Sequence, residues 1–149
     1  MMADKHLYDV DLKWEHDRIG TLSSDKLDDN IEVATPPEFP GGIEGTWSPE
    51  HLFVASISSC FMTTFAAIAE YSKLDYESLD VPSTGVLAKV DGKYAIKEVY
   101  LKPRLVITDE KAKDKAYRIL EKAEEACLIS RSVKTEIILE PKVTIAVLN

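Results

Sequence analysis

The stretch SPEHLFVASISSCFMTTFAAIAEYSK, residues 48–73, decides the fold. Positions 52–69 run for eighteen residues without a formal charge, in a chain that is 30% charged. Ser48 suits an N-cap, Pro49 the first helical position and Glu50 the positive end of a helix dipole. The stretch therefore predicts a helix from Pro49 to about Tyr71. The run only just reaches membrane-spanning length, carries three Ser and two Thr, and meets Glu70 at once. It reads as the buried central helix of a soluble protein. Because it is apolar almost all round, one sheet cannot cover it, and a second subunit is the natural source of the other layer.

Outward from this helix, residues 6–19 (HLYDVDLKWEHDRI) alternate partially through Leu7, Val10, Leu12 and Trp14 and predict a strand, with Arg18 at its end before a turn at Gly20. SSDKLDDN predicts a turn and residues 30–34 a short strand. The Pro- and Gly-rich ATPPEFPGGIEGTW is a loop. Beyond the helix, Asp91-Gly92 predicts a hairpin turn whose second arm is a strand over 95–107. Thr108 or Asp109 caps a second helix, DEKAKDKAYRILEKAEEACL, with Ala116, Leu120, Ala123 and Cys127 along one apolar stripe. TEIILEPKVTIAVL closes the chain as one strand, or two pieces about Pro141. The expected order is β-β-loop-α-β-β-α-β, an α+β fold in which residues 1–149 form a single domain.

The formal charge of −8 argues against a phosphate-tracking nucleic-acid binder and against an anionic membrane surface as partner. The N-terminus MMADKHLYDV has no apolar signal-peptide core, so the expected location is the cytoplasm. Two cysteines, Cys60 and Cys127, are too few for a disulfide scaffold. They are either small buried hydrophobes or reactive thiols.

Cys60 lies about three turns inside the helix, beyond the reach of its dipole, and burial among Val54, Ile57, Phe61 and Thr64 would raise its pKa. A reactive Cys60 therefore needs a cation from elsewhere. Arg18 is the candidate, with Glu50 to fix its orientation. Glu50 and Cys60 are ten residues apart, about 15 Å along the helix axis. One small substrate cannot touch both in one chain, which favours a site built from two chains. If Cys127 meets Cys60, a peroxide could oxidise Cys60 to a sulfenic acid, Cys127 could condense with it, and an external dithiol could restore both. The plainer alternative is two unrelated core cysteines.

Other chemistry has weaker support. His6, His16 and His51 have no specific spacing to Cys60, and no C-x-x-C or H-x-x-x-H pair marks a metal site. A non-catalytic module that holds an apolar ligand, with inert cysteines and Arg18 on a ligand carboxylate, stays open. Phe39, Trp47, Phe53 and Phe61 are candidates to line a pocket.

Arg18-x-Gly followed by SSD, then PPEFPGG, SPEHLFVASISSCF and ACLIS, resembles the OsmC/Ohr family, the osmotically inducible protein C and organic hydroperoxide resistance proteins. The resemblance covers about residues 7–146. It implies an intertwined α+β homodimer, with two central helices sandwiched by sheets. It also implies thiol peroxidase activity on organic hydroperoxides, with a dithiol reductant such as a dihydrolipoyl group, and no metal, haem or flavin. Cys60 falls on the peroxidatic cysteine and Cys127 on the resolving cysteine. Arg18 falls on the arginine that lowers the thiol pKa and Glu50 on the carboxylate that orients it. This chain departs from the pattern at Leu128, where many relatives have Pro, and at His51, where Gln or Glu is common.

Overall fold

The first helix, α1 (Pro49–Tyr71), has the expected bounds in the structure, a computed structural model that describes residues 4–147. Ser48 is buried at its start, and its Oγ accepts from the His51 backbone N–H at 3.1 Å and pairs with His51 Nδ1 at 2.7 Å. The helix ends in a Schellman turn. The Leu74 N–H donates to the Ala69 carbonyl at 2.8 Å, and Lys73 takes a left-handed φ of 56°.

The chain forms two compact units, the first ending at Leu52 and the second beginning at Phe53. The first holds a three-stranded antiparallel sheet of β1 (Asp11–His16), β2 (Ile19–Ser23) and β3 (Ile31–Ala34), in that order. The segment expected to run as one strand to residue 19 instead reverses at Asp17 and Arg18. Asp17 accepts φ 49°, which a short polar side chain tolerates, and its carbonyl accepts from Trp14 Nε1 at 2.9 Å. Arg18 thus sits in a hairpin turn, and Gly20 lies inside β2. The apolar alternation stops at Trp14, and residues 15–18 are all polar, so the turn is marked by a polar run that the single-strand reading passed over.

In the second unit the strands are β4 (Ser78–Asp80), β5 (Ser83–Val90), β6 (Lys93–Leu101), β7 (Arg104–Ile107), β8 (Glu136–Leu139) and β9 (Lys142–Ile145). Asp91 and Gly92 join β5 to β6 with φ of 53° and 80°, the positive pair that a two-residue hairpin requires. The arm expected over 95–107 is divided into β6 and β7 at Pro103, and the last segment into β8 and β9 at Pro141. Proline has no N–H for a ladder, so each strand breaks there. The two broken strands still run side by side, β6 parallel to β8 and β7 parallel to β9. Glu140 N–H donates to Leu101 and Lys142 N–H to Pro103, at 2.8 and 2.9 Å, across the break.

Helix two is also divided. Asp109 Oδ1 accepts from Lys111 N–H at 2.9 Å and caps a 3-10 turn, Glu110–Ala112. Then come α2 (Lys113–Ala126) and a short α3 (Leu128–Arg131), with Cys127 between them. The expected stripe of Ala116, Leu120, Ala123 and Cys127 is fully buried, and Ile119 joins it.

The core of this unit gathers Phe61 and Phe65 of α1, Val99 and Leu105 of the strands, and Leu120 and Ala123 of α2. Helix α1 enters it along one stripe, Ile57, Phe61, Phe65 and Ala69, while Ser59, Met62, Thr63 and Ala67 are exposed. By length and composition α1 could cross a membrane, and only 22% of its apolar window is buried. Its Ser56, Ser58, Ser59 and Thr63 hydroxyls bond the helix's own carbonyls.

Strand β5 approaches α1 closely at Gly85, where a methyl group would lie 2.5 Å from Val54 Cγ2. Val is stiff at χ1, so it cannot swing clear. Gly85→Ala is expected to lose roughly 1–3 kcal/mol of stability, read as a lower midpoint in urea unfolding with an unchanged m-value.

Candidate active site

Cys60 is half-buried in the middle of α1, one turn ahead of Thr64, whose Oγ1 lies 3.9 Å from Cys60 Sγ. The break between α2 and α3 faces it. Cys127 there is the last cap of one helix and the first cap of the next, with ψ 112°. That extended residue redirects the backbone, so that the N–H groups of Leu128 and Ile129 act on the Cys60 sulfur. These are N-terminal donors that a helix cannot use internally.

The two thiols are both free and lie close enough to alter each other's ionisation. They are pushed in opposite directions. Burial raises Cys60, but the Ile129 N–H, the Cys127 thiol, Thr64 and the Leu128 N–H together outweigh it, so its pKa falls below the usual thiol value. Burial raises Cys127, with Ser130 opposing and Cys60 adding to the rise, and its pKa stands above the usual value. Of the two thiols, Cys60 is therefore the one that ionises first as pH rises. Since α3 is only four residues long, the cause is hydrogen bonding rather than a macrodipole.

Sequence reasoning asked for an arginine at Cys60 and overlooked these backbone donors. The only signal available was the residue after Cys127. Leu128 has an N–H, and a proline there would not.

Arg18 and Glu50 line one cavity in the first unit, about 430 Å³ in volume, together with Thr35, Pro36, Phe39, Pro40 and Pro49. The PPEFPGG loop shapes it. Phe39 N–H donates to Pro36, Gly42 N–H to Phe39 and Ile43 N–H to Thr35, at 3.1, 2.9 and 2.9 Å. A side chain at Gly42 would run into the Pro36 carbonyl. Gly41, at φ 79°, lets the Arg18 side chain lie against the loop, since a methyl there would sit 3.2 Å from Arg18 Cγ. Glu50 Oε1 is shut off from water without a hydrogen-bond partner among the described residues. Arg18 is exposed and closes no ion pair with Glu50. Of the candidate aromatics, Phe39 lines this cavity, while Trp47 borders another with His51 and Glu44. Phe61 is fully buried in the core, and Phe53 packs against it.

Residues 41–142 match the model of the OsmC-like protein family. The chain belongs to this family. It is 31% identical over 144 residues to the uncharacterized protein YmaD of Bacillus subtilis (strain 168), covering 93% of both chains. An OsmC-like protein of unknown function from Vibrio cholerae O1 biovar eltor superposes with a TM-score of 0.84 at 26% identity, over 93% of this chain and 100% of that one. An organic hydroperoxide resistance protein from Elizabethkingia anophelis superposes with a TM-score of 0.71 at 25% identity, over 95% and 99%. The mixed α+β architecture is thus that of the OsmC and organic hydroperoxide resistance proteins.

Leu128→Pro isolates one donor. Cys127 is already extended and Leu128 is the first residue of α3, both of which suit a proline. The substitution should keep the fold and raise the Cys60 pKa. A pH series of iodoacetamide labelling, read by peptide mass spectrometry, should show the Cys60 midpoint move up. An unmoved midpoint would remove the Leu128 N–H from the argument.

Proposed function

We propose that this chain is a thiol-dependent peroxidase that reduces organic hydroperoxides. The observation that carries the reading is the opposite tuning of two facing thiols, Cys60 down and Cys127 up. The Cys60 thiolate attacks the O–O bond of the hydroperoxide. Cys60 becomes a sulfenic acid, and the alkoxide leaves and takes a proton to become the alcohol. Cys127 then attacks the Cys60 sulfur, the S–S bond forms, the S–O bond breaks and water departs. An external dithiol, such as a dihydrolipoyl group, reopens the disulfide by exchange.

Membership of a family that includes organic hydroperoxide resistance proteins supports the substrate class. So does the apolar lining of the Arg18–Glu50 cavity, with Phe39 and three prolines among its residues. An organic group buried on such a surface gains roughly 25 cal/mol per Å², which hydrogen peroxide cannot. In this proposal Arg18 stabilises the thiolate and the departing alkoxide, and Glu50 orients Arg18. The working form is a homodimer in the cytoplasm. The uncovered faces of α1 support a dimer, as do the exposed Tyr8, Leu12 and Trp14 at the start of the chain.

Titration of free thiols tests the core of the proposal. Reduced protein given one equivalent of cumene hydroperoxide should lose two thiols per chain, much faster than with hydrogen peroxide. Cys127→Ser should lose its one thiol and over-oxidise when a second equivalent is added. Survival of both thiols would return the cysteines to core filler and bring the ligand-binding module forward. Arg18→Lys keeps the charge but loses the planar fork. It should lower kcat/KM for cumene hydroperoxide with dihydrolipoamide by about 10²-fold, and wild-type turnover would remove Arg18 from the mechanism.

A further inference from the structure

Glu124 lies three residues before Cys127, in the last turn of α2, and Ser130 three residues after it, in α3. Glu124 Oε1 and Ser130 Oγ are both buried, and neither meets a partner at hydrogen-bond geometry. Buried carboxyl and hydroxyl groups are normally satisfied, so two unsatisfied ones beside a buried thiol call for a reason. Ser130 lies near enough to influence both the Glu124 carboxyl and the Cys127 thiol.

We propose that Glu124, acting through the Ser130 hydroxyl, takes the proton from the Cys127 thiol as Cys127 attacks the oxidised Cys60. This inference rests on the peroxidase reading. The step needs a base, because a buried Cys127 holds its proton at neutral pH. Burial, with the charge of Glu125 adding to it, raises the proton affinity of Glu124 towards that of a thiol, while Ser130 opposes the rise. The balance closes without another reactant. The Cys127 proton passes to Ser130 as the Ser130 proton passes to Glu124. The Cys127 sulfur bonds to the Cys60 sulfur, hydroxide leaves Cys60, and the proton returns to it as water. Glu124 ends as it began.

The test separates the two steps. Reduced protein receives one equivalent of cumene hydroperoxide. Samples quenched over time with dimedone are counted by mass spectrometry for sulfenic acid on Cys60 and for the disulfide. In Glu124→Gln, which keeps size and shape, sulfenic acid should form on the wild-type time course and persist at least about tenfold longer before closure. Ser130→Ala should lengthen it similarly, the double variant should add little, and Glu124→Asp should recover part of the closure rate. Closure at the wild-type rate in Glu124→Gln would overturn the relay, as would equal slowing of both steps, which marks a structural role. If wild-type protein forms neither sulfenic acid nor disulfide, the peroxidase reading fails and the relay falls with it. That result is distinct from a relay failure in an active enzyme.

Discussion

The arrangement depends on one interruption, the extended residue Cys127 between α2 and α3. An unbroken helix would tie the N–H groups of residues 128 and 129 into its own ladder and leave nothing to offer a sulfur. The break frees them towards Cys60 and at the same point presents a second thiol. One backbone feature thus supplies both the donors that favour a thiolate on Cys60 and the group proposed to close on it. The cost of burying Cys60 is offset by hydrogen bonds without a buried cation from the same unit.

Helix α1 is the other half of this arrangement. Its single buried stripe fixes the rotation of the helix against the core, and that rotation leaves Cys60 half-exposed, one position before Phe61. Turning the helix to bury Cys60 fully would bring Phe61 out of the core. The faces that the stripe leaves open are apolar or carry hydroxyls that bond the helix itself. Such a surface suits association with another apolar layer more than it suits water.

In the first unit the equivalent constraint is the tight loop from Thr35 to Ile43. Three backbone hydrogen bonds and two glycines hold it, and the Arg18 side chain lies against it. The result is a concave apolar surface with a guanidinium and an unpartnered carboxylate oxygen at its margin. Recognition of an apolar molecule that carries one polar, reactive group fits that combination.

The sequence by itself determined the bounds of α1, because capping chemistry at Ser48 and Pro49 and a charge-free run are local signals. It determined the Asp91-Gly92 hairpin for the same reason, since positive φ at two successive residues restricts the residue types. The stripe of helix two, the family and the two cysteines were also legible. The reversal at Asp17 and Arg18 was not, because the polar run at residues 15–18 fits the exposed end of a strand as well as it fits a turn. Nor was the parallel pairing of β6 with β8 and β7 with β9, which joins residues some forty positions apart. The backbone donors at Leu128 and Ile129 left only a faint mark, a residue other than proline after Cys127. Every residue but proline has an N–H, and only the tertiary structure decides where a helix breaks and what its free N–H groups face.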